Sequence, residues 1–335
     1  MIPREWLLDA GYGAGWRLVR ALPEPVARAA FAGAAGLAAR RGGGGSGGGW
    51  LAQLRRNLER VRPEASAAEL DGLVRAALRS YARYWCEAFR LPSMDHDALR
   101  AAVGPAIEGR QHVDAALAAG RGMILALPHA GNWDVAGVWL VGRCGGFTTV
   151  AERLRPESLY RRFVAYRESL GFEILPLTGG GRPAGEVLAA RLAAGGAVCL
   201  VADRDLTSGG VPVTFFGEPA TLPSGPARLA AATGAALLPV GLWFTDGGWG
   251  FRVHPPVPVR PASGGTWGSA RESRRAVLSA TQAIADAFAA DIAEHPADWH
   301  MLQPLWLADL PAAARDRARR AGSGLARDAD RGHRA

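Results

Sequence analysis

Met123-Ile-Leu-Ala-Leu-Pro-His-Ala-Gly-Asn-Trp-Asp134 is the stretch whose reading decides the fold. Five consecutive apolar residues, preceded by Gly122 and stopped by Pro128, have the length and bounding of a strand buried on both faces. Asn132 then stands where a helix N-cap belongs, and an apolar helical pattern follows at 136–141. Strand, tight loop and helix in that order form the unit from which layered α/β proteins are built.

The pattern continues outward from this unit. Short β-rich runs lie at 148–151, 173–176, 197–202, 237–243 and 251–253. Helical stretches alternate with them around 156–170, 184–194 and 226–233, and a last helix spans about 271–293. This alternation predicts an α/β fold with a central, mostly parallel sheet flanked by helices. Upstream, residues 1–100 read as a helical N-terminal layer: Leu51, Leu54, Leu58 and Val61 share one face, and a second helix runs from about 67 to 89. The expected organisation is one domain over 1–310, its helical part at 1–100 and its α/β core at 101–310. A basic, loosely ordered tail follows at 311–335.

Composition narrows the function classes. The chain has 335 residues, 49% hydrophobic and 21% charged, the balance of an ordinary globular protein. Its net charge of +8 comes from arginine alone, because the sequence has no lysine. Such a bias is what a GC-rich genome produces, but the charge still favours anionic membrane surfaces and phosphorylated substrates. Nucleic-acid binding would rest on charge without a supporting motif. No apolar run reaches the ~18 residues that a membrane span needs. Leu8, Tyr12, Trp16 and Val19 recur at helical spacing beside Arg17 and Arg20. That helix either lies on a membrane surface or packs on the protein's own core. The N-terminus lacks the basic start and cleavage site of a secretory signal, so the chain is expected to stay inside the cell. Cys86, Cys144 and Cys199 have no metal-type spacing and are expected to be reduced and buried.

Two apparent motifs are set aside. Gly44, Ser46 and Gly48 match a nucleophile elbow formally, yet they sit in a flexible glycine run with no strand before it. Gly179-x-Gly181-x-x-Ala184 approximates a dinucleotide fingerprint but starts mid-chain, so a turn is expected. A phosphate of a coenzyme could still use the helix end that follows.

The chemistry concentrates at His129. It follows a strand directly, and Asp134 lies five residues later in the first turn of the helix that Asn132 caps. A carboxylate there could fix the imidazole tautomer, leaving Nε2 to deprotonate a hydroxyl. The spacing alone also fits a surface contact.

The block His129-x-x-x-x-Asp134, enclosing Asn132-Trp133, resembles the first motif of the lysophospholipid acyltransferase superfamily. The form Pro-His-x-Gly-Asn-Trp-Asp is similar to the branch of lipid A acyltransferases and actinobacterial phosphatidylinositol mannoside acyltransferases. Ala151-Glu-Arg-Leu154, Val201-Ala-Asp-Arg-Asp-Leu206, Phe215-Phe-Gly217, Pro223-Ser-Gly-Pro226 and Asp298-Trp-His-Met-Leu-Gln-Pro-Leu-Trp306 match in order, covering about residues 5–310. The resemblance implies acyl transfer from acyl-CoA, as co-substrate with no cofactor, to a mannose hydroxyl of a phosphatidylinositol mannoside. It implies a peripheral place on the cytoplasmic face of the cell membrane. His129 would be the base, with Asp134 or Asp203 as its partner. Asp203 stands where that branch usually has glutamate, and alternatively pairs with Arg204.

Asn132, Trp133, Glu152, Arg153, Arg167, Arg204 and Asp205 are the implied substrate-binding residues. Glu152 would bond sugar hydroxyls, and Arg167 would meet the lipid phosphate. Phe215 and Phe216 would wall a pocket, or else belong to the core. The competing classes are a membrane-surface lipid-binding protein without chemistry and an enzyme for another lysophospholipid or glycolipid acceptor.

Overall fold

The computed structural model describes residues 4–42, 49–153, 155–205, 210–259, 270–313 and 315–316. Ser46, the rest of the glycine run at 43–48, and the tail beyond 316 lie outside the described residues. The chain opens with five helices: α1 (Arg4–Ala21), α2 (Glu24–Gly42), α3 (Trp50–Val61), α4 (Ala67–Arg90) and α5 (His96–Val103). Leu54, Leu58 and Val61 form the buried face of α3, as their spacing dictates. A reciprocal capping box starts α4: Ser66 Oγ accepts from the Glu69 N–H, while the Ser66 N–H donates to the Glu69 carboxylate. Ala35, Leu54, Leu58, Leu70, Val74, Ala77 and Leu78 make a small core between α2, α3 and α4.

Trp16 of α1 faces the protein. Its ring packs on Phe89, Phe163 and Tyr166 at centroid distances of 5.1, 5.5 and 5.4 Å. Its Nε1–H donates to the Phe89 carbonyl at 3.0 Å. Among the described residues, the large apolar side chains exposed on this layer are Leu18, Val26, Leu37 and Trp50. Of the two readings open for this helix, packing on the core therefore holds for Trp16, because an indole N–H finds its acceptor inside.

The α/β layer then follows as β1 (Ile107–Glu108), α6 (Arg110–Ala119), β2 (Met123–Leu127), α7 (Trp133–Cys144), β3 (Phe147–Ala151), α8 (Glu157–Glu168) and β4 (Phe172–Pro176). It continues with α9 (Ala184–Ala193), β5 (Ala197–Val201), β6 (Val211–Phe215), β7 (Glu218–Leu222), α10 (Gly225–Thr233), β8 (Ala236–Thr245), β9 (Gly248–Val253) and α11 (Ala270–Glu294). Seven strands form one sheet in the order β1-β9-β8-β2-β5-β3-β4. All its pairs are parallel except β8 with β9. Every residue of β2 is buried, as its unbroken apolar run requires.

The topology places the site. From β2 the chain runs outward to β3 and β4, then returns through α9 so that β5 lies between β2 and β3. Leu127 at the end of β2 pairs with Val201 at the end of β5. The loops that leave these two strands therefore emerge side by side, at the edge where α/β sheets gather ligands.

Two expectations change, and one open reading is decided. The stretch 206–226, whose glycines and prolines read as loop, contains the antiparallel hairpin β6–β7. Phe216 and Gly217, at φ +49° and +77°, form its two-residue turn. Phe215 is core, packed on Phe216, Trp299 and Trp306, and neither phenylalanine lines the cavity described below. Among the described residues, α11 has one stretch, Glu272–Glu294, long and apolar enough to cross a membrane. It nevertheless packs as a core helix, with Ala280, Ile284, Ala285, Phe288 and Ile292 buried.

Candidate active site

His129 and Asp203 each stand two residues beyond a strand end, on neighbours held in register, so the fold brings them together. His129 Nδ1 lies 2.6 Å from Asp203 Oδ1, and the His129 backbone N–H donates to Asp203 Oδ2 at 2.9 Å. Trp299 Nε1–H adds a third bond to Oδ2 at 3.0 Å. Asp203 is fully buried while the His129 side chain keeps 32% exposure. Burial opposes ionisation of Asp203, yet the electrostatic influence of the facing imidazole and the bonds from His129 and Trp299 outweigh it. The carboxyl is held below its usual range. An ionised acceptor at 2.6 Å puts the imidazole proton on Nδ1 and leaves the Nε2 lone pair free.

Asp134 has a different task from the one its spacing suggested. It is buried, and its Oδ1 accepts from Arg167 Nε at 3.0 Å and its Oδ2 from the Tyr84 hydroxyl at 3.2 Å. The first helical turn directs this carboxylate toward α8 and α4, where both its oxygens find donors. Of the two partners left open by the sequence, the geometry selects Asp203. Removal of Asp134 leaves the largely buried Arg167 guanidinium uncompensated. Asp134→Ala is expected to lower unfolding free energy by about 3 kcal/mol, measured in urea, with the His129–Asp203 pair left in place.

Asn132 caps α7, accepting from the Val135 N–H at 3.1 Å, and its Nδ2 donates to buried Glu87 at 2.7 Å. Glu87 also accepts from Trp249 Nε1 and Arg83 Nε, each at 2.7 Å, so α4 and β9 jointly fix the loop. Gly131 between them has φ +53°, and a Cβ there would lie 2.8 Å from the Trp243 nitrogen. Only glycine fits that turn.

The C-terminal segment clasps the same loop from the other side. Ala130 and Trp299 form an antiparallel bridge. The Gly131 N–H donates to the Asp298 carbonyl at 2.9 Å, and the His300 N–H to the His129 carbonyl at 2.7 Å. The His300 imidazole is buried, and desolvation, assisted by repulsion from the nearby His129 imidazole, pulls its pKa down to about 3. A free histidine titrates near 6.5, so the unfolded chain binds the extra proton as pH falls from about 6.5 toward 3. His300 therefore costs stability across that window and none above it.

His129 opens on a cavity of about 940 Å³. Much of its lining is apolar and includes buried Leu125, Leu140, Phe147, Phe172, Ile174 and Cys199, from the sheet and α7. Trp133, Glu152, Arg167, Arg204 and Asp205 also line it. Glu152 and Arg204 face each other at 3.9 Å. Asp205 accepts from the Gly210 N–H at 2.8 Å. Arg153 departs from the expected set: its guanidinium pairs with Glu157 at 2.8 and 3.0 Å on the surface and does not line the cavity. The turn before α9 is no dinucleotide site, since the acidic residue after β5 is Asp203, buried on His129 and Trp299.

Tyr84, Glu87, Trp299 and His300 hold or line this site without having been marked by spacing. Trp299 and His300 had one signal, their place in the terminal motif, whereas Tyr84 and Glu87 read only as residues of an amphipathic helix.

Comparison with known proteins places these features in context. Residues 1–308 match the family model described as bacterial lipid A biosynthesis acyltransferase. The chain is 57% identical over 309 residues to the phosphatidylinositol mannoside acyltransferase of Mycolicibacterium smegmatis, covering 92% of this chain and 94% of that protein. It is 55% identical over 311 residues to the protein of the same name from Mycobacterium tuberculosis strain H37Rv, covering 93% and 92%.

Proposed function

The chain belongs to the bacterial lipid A biosynthesis acyltransferase family and is an acyltransferase, and from that premise we propose that it moves a fatty acyl chain from acyl-CoA to a mannose hydroxyl of a phosphatidylinositol mannoside. The observation that carries the chemistry is the 2.6 Å His129–Asp203 pair, whose histidine lines a largely apolar cavity. The His129 Nε2 lone pair takes the proton of the sugar hydroxyl as its oxygen attacks the thioester carbonyl. Asp203 stabilises the imidazolium that results. Collapse of the tetrahedral intermediate breaks the carbon–sulfur bond, and the imidazolium returns the proton to the departing thiolate. The acyl chain occupies the apolar pocket beneath α7, where its methylenes leave water at ~0.8 kcal/mol each. Glu152 and Arg204 lie at the polar part of the same cavity, suited to sugar hydroxyls and to phosphate. His129 and Asp203 perform this reaction without a resident cofactor.

Incubation with palmitoyl-CoA and a mannosylated phosphatidylinositol tests the reading. Free CoA should appear in step with an acylated lipid seen by mass spectrometry. Binding of both ligands without CoA release would make the chain a lipid-binding protein instead. Turnover confined to another lysophospholipid or glycolipid would move the acceptor.

We further propose that the protein works peripherally on the cytoplasmic face of the membrane, a reading that a lipid acceptor and an acyl-CoA donor favour. Exposed Leu18, Val26, Leu37 and Trp50, with Arg17 and Arg20 nearby in sequence, suit shallow insertion beside anionic headgroups. Co-sedimentation with vesicles should rise with anionic lipid, fall with salt, and weaken in Leu18→Asp/Val26→Asp. Indifference to all three would remove this face from consideration.

A further inference from the structure

The polar chain behind His129 sets the tautomer of His300. The Phe244 N–H donates to Asp298 Oδ2 at 2.9 Å, and the Ser80 hydroxyl donates its single proton to Asp298 Oδ1 at 2.6 Å. Ser80 Oγ can then only accept at its contact with His300 Nε2, 2.9 Å away. The proton of the neutral His300 ring is therefore on Nε2, and Nδ1 carries a bare lone pair. That nitrogen is buried and has no hydrogen-bond partner among the described residues. A buried acceptor without a donor is unfavourable and calls for a ligand or a water molecule.

The surroundings indicate which ligand. His300 lines the same cavity as His129, and its backbone is bonded to the His129 carbonyl at 2.7 Å. Tyr81, Tyr84 and Trp133, whose rings lie 5.2, 6.0 and 6.2 Å from the His300 ring, line that cavity too. Aromatic faces beside a lone acceptor suit a polyol ring, which offers C–H groups to the one and an O–H to the other. A thioester has no proton to give.

We propose that His300 Nδ1 accepts a hydrogen bond from a non-reacting hydroxyl of the polyol acceptor, orienting its neighbouring hydroxyl toward His129. The assignment rests on the reading of the protein as an acyltransferase acting on a sugar-bearing lipid. No proton moves at His300: the reacting hydroxyl loses its proton to His129 Nε2, and His300 stays neutral throughout.

Two variants separate substrate contact from support of the loop. His300→Gln places an amide nitrogen near the position of Nε2, preserving the bond to Ser80 and deleting the Nδ1 acceptor. His300→Asn does the reverse, placing an amide oxygen near Nδ1 and abandoning Ser80. Loss of one hydrogen bond should raise the acceptor KM of His300→Gln about tenfold, with the acyl-CoA KM and the melting temperature near those of the unaltered enzyme. His300→Asn should recover the acceptor KM while melting earlier. In the unaltered enzyme, one single-deoxy acceptor should show the same rise in KM, and that rise should vanish in His300→Gln.

An unchanged acceptor KM in His300→Gln overturns the assignment and leaves Nδ1 to water. A rise in the acyl-CoA KM alone also overturns it, transferring the contact to an amide N–H of the CoA arm. Should neither variant fold, the deoxy acceptors decide on the unaltered enzyme, and indifference to every deletion overturns the assignment. Absence of any turnover of the mannosylated lipid by the unaltered enzyme overturns the functional reading, and this assignment with it.

Discussion

His129→Ala is expected to reduce acyl transfer by roughly 10²–10⁴-fold in kcat/KM, the range that a positioned general base contributes, while the protein remains folded. The geometry supports both halves of that expectation. His129 lines the cavity, and its side chain is partly exposed. Asp203 would keep its bonds from the His129 backbone N–H and Trp299 Nε1 in the variant. The buried carboxylate is therefore not orphaned, and the stability loss should stay near that of one charge-assisted hydrogen bond, about 2 kcal/mol. Product formation by mass spectrometry, beside a urea melt, measures the two quantities separately. Turnover near that of the unaltered enzyme would remove His129 from the mechanism.

Asp203→Asn should be nearly as damaging although it changes one atom. Ionised Asp203 accepts the Nδ1 proton and so keeps Nε2 free. An asparagine that turns its oxygen to the N–H donors of His129 and Trp299 presents its NH₂ to Nδ1. The imidazole must then carry its proton on Nε2, where it cannot act as a base. Loss of the correct tautomer and of imidazolium stabilisation lowers kcat by up to roughly 10⁴ in comparable triads, with little change in acceptor KM. The same substitution alters the acid limb of stability. The Asp203 carboxyl is held below its usual range, so its stabilisation is present above about pH 4 and is lost as pH falls through the lower folded value. In Asp203→Asn that portion of the acid transition should disappear. Retained activity in this variant would return the partner's role to Asp134.

Much of the architecture was legible in the sequence because it depends on local patterns. The unbroken apolar run at Met123–Leu127 is a fully buried strand, and the Asn132 cap begins α7 where expected. The helical face of Leu54, Leu58 and Val61 is likewise where its period puts it. The β6–β7 hairpin was not legible, since its turn residues Phe216 and Gly217 lie among prolines and glycines that also describe a loop. Helical spacing also gave Trp16 no direction, because a lipid face and a protein face share one period.

The candidate site divides along the same line. The amino-acid sequence alone determined that a histidine would stand at a strand end before a capped helix, because chain neighbours and backbone preferences suffice for that. It also determined the family, through motifs that occur in order. Which carboxylate serves His129 was decided only by the tertiary structure. Asp134, five residues away, is turned by its helix toward Arg167 and Tyr84. Asp203, separated from His129 by 74 positions in the chain, is brought to 2.6 Å by the parallel pairing of β2 with β5. Arg153 was likewise drawn away to Glu157, and Trp299 and His300 were carried to the loop by the Ala130–Trp299 bridge. The physical reason is that catalytic geometry is made by strand register and long-range hydrogen bonds, and neither leaves a periodic trace in the order of residues.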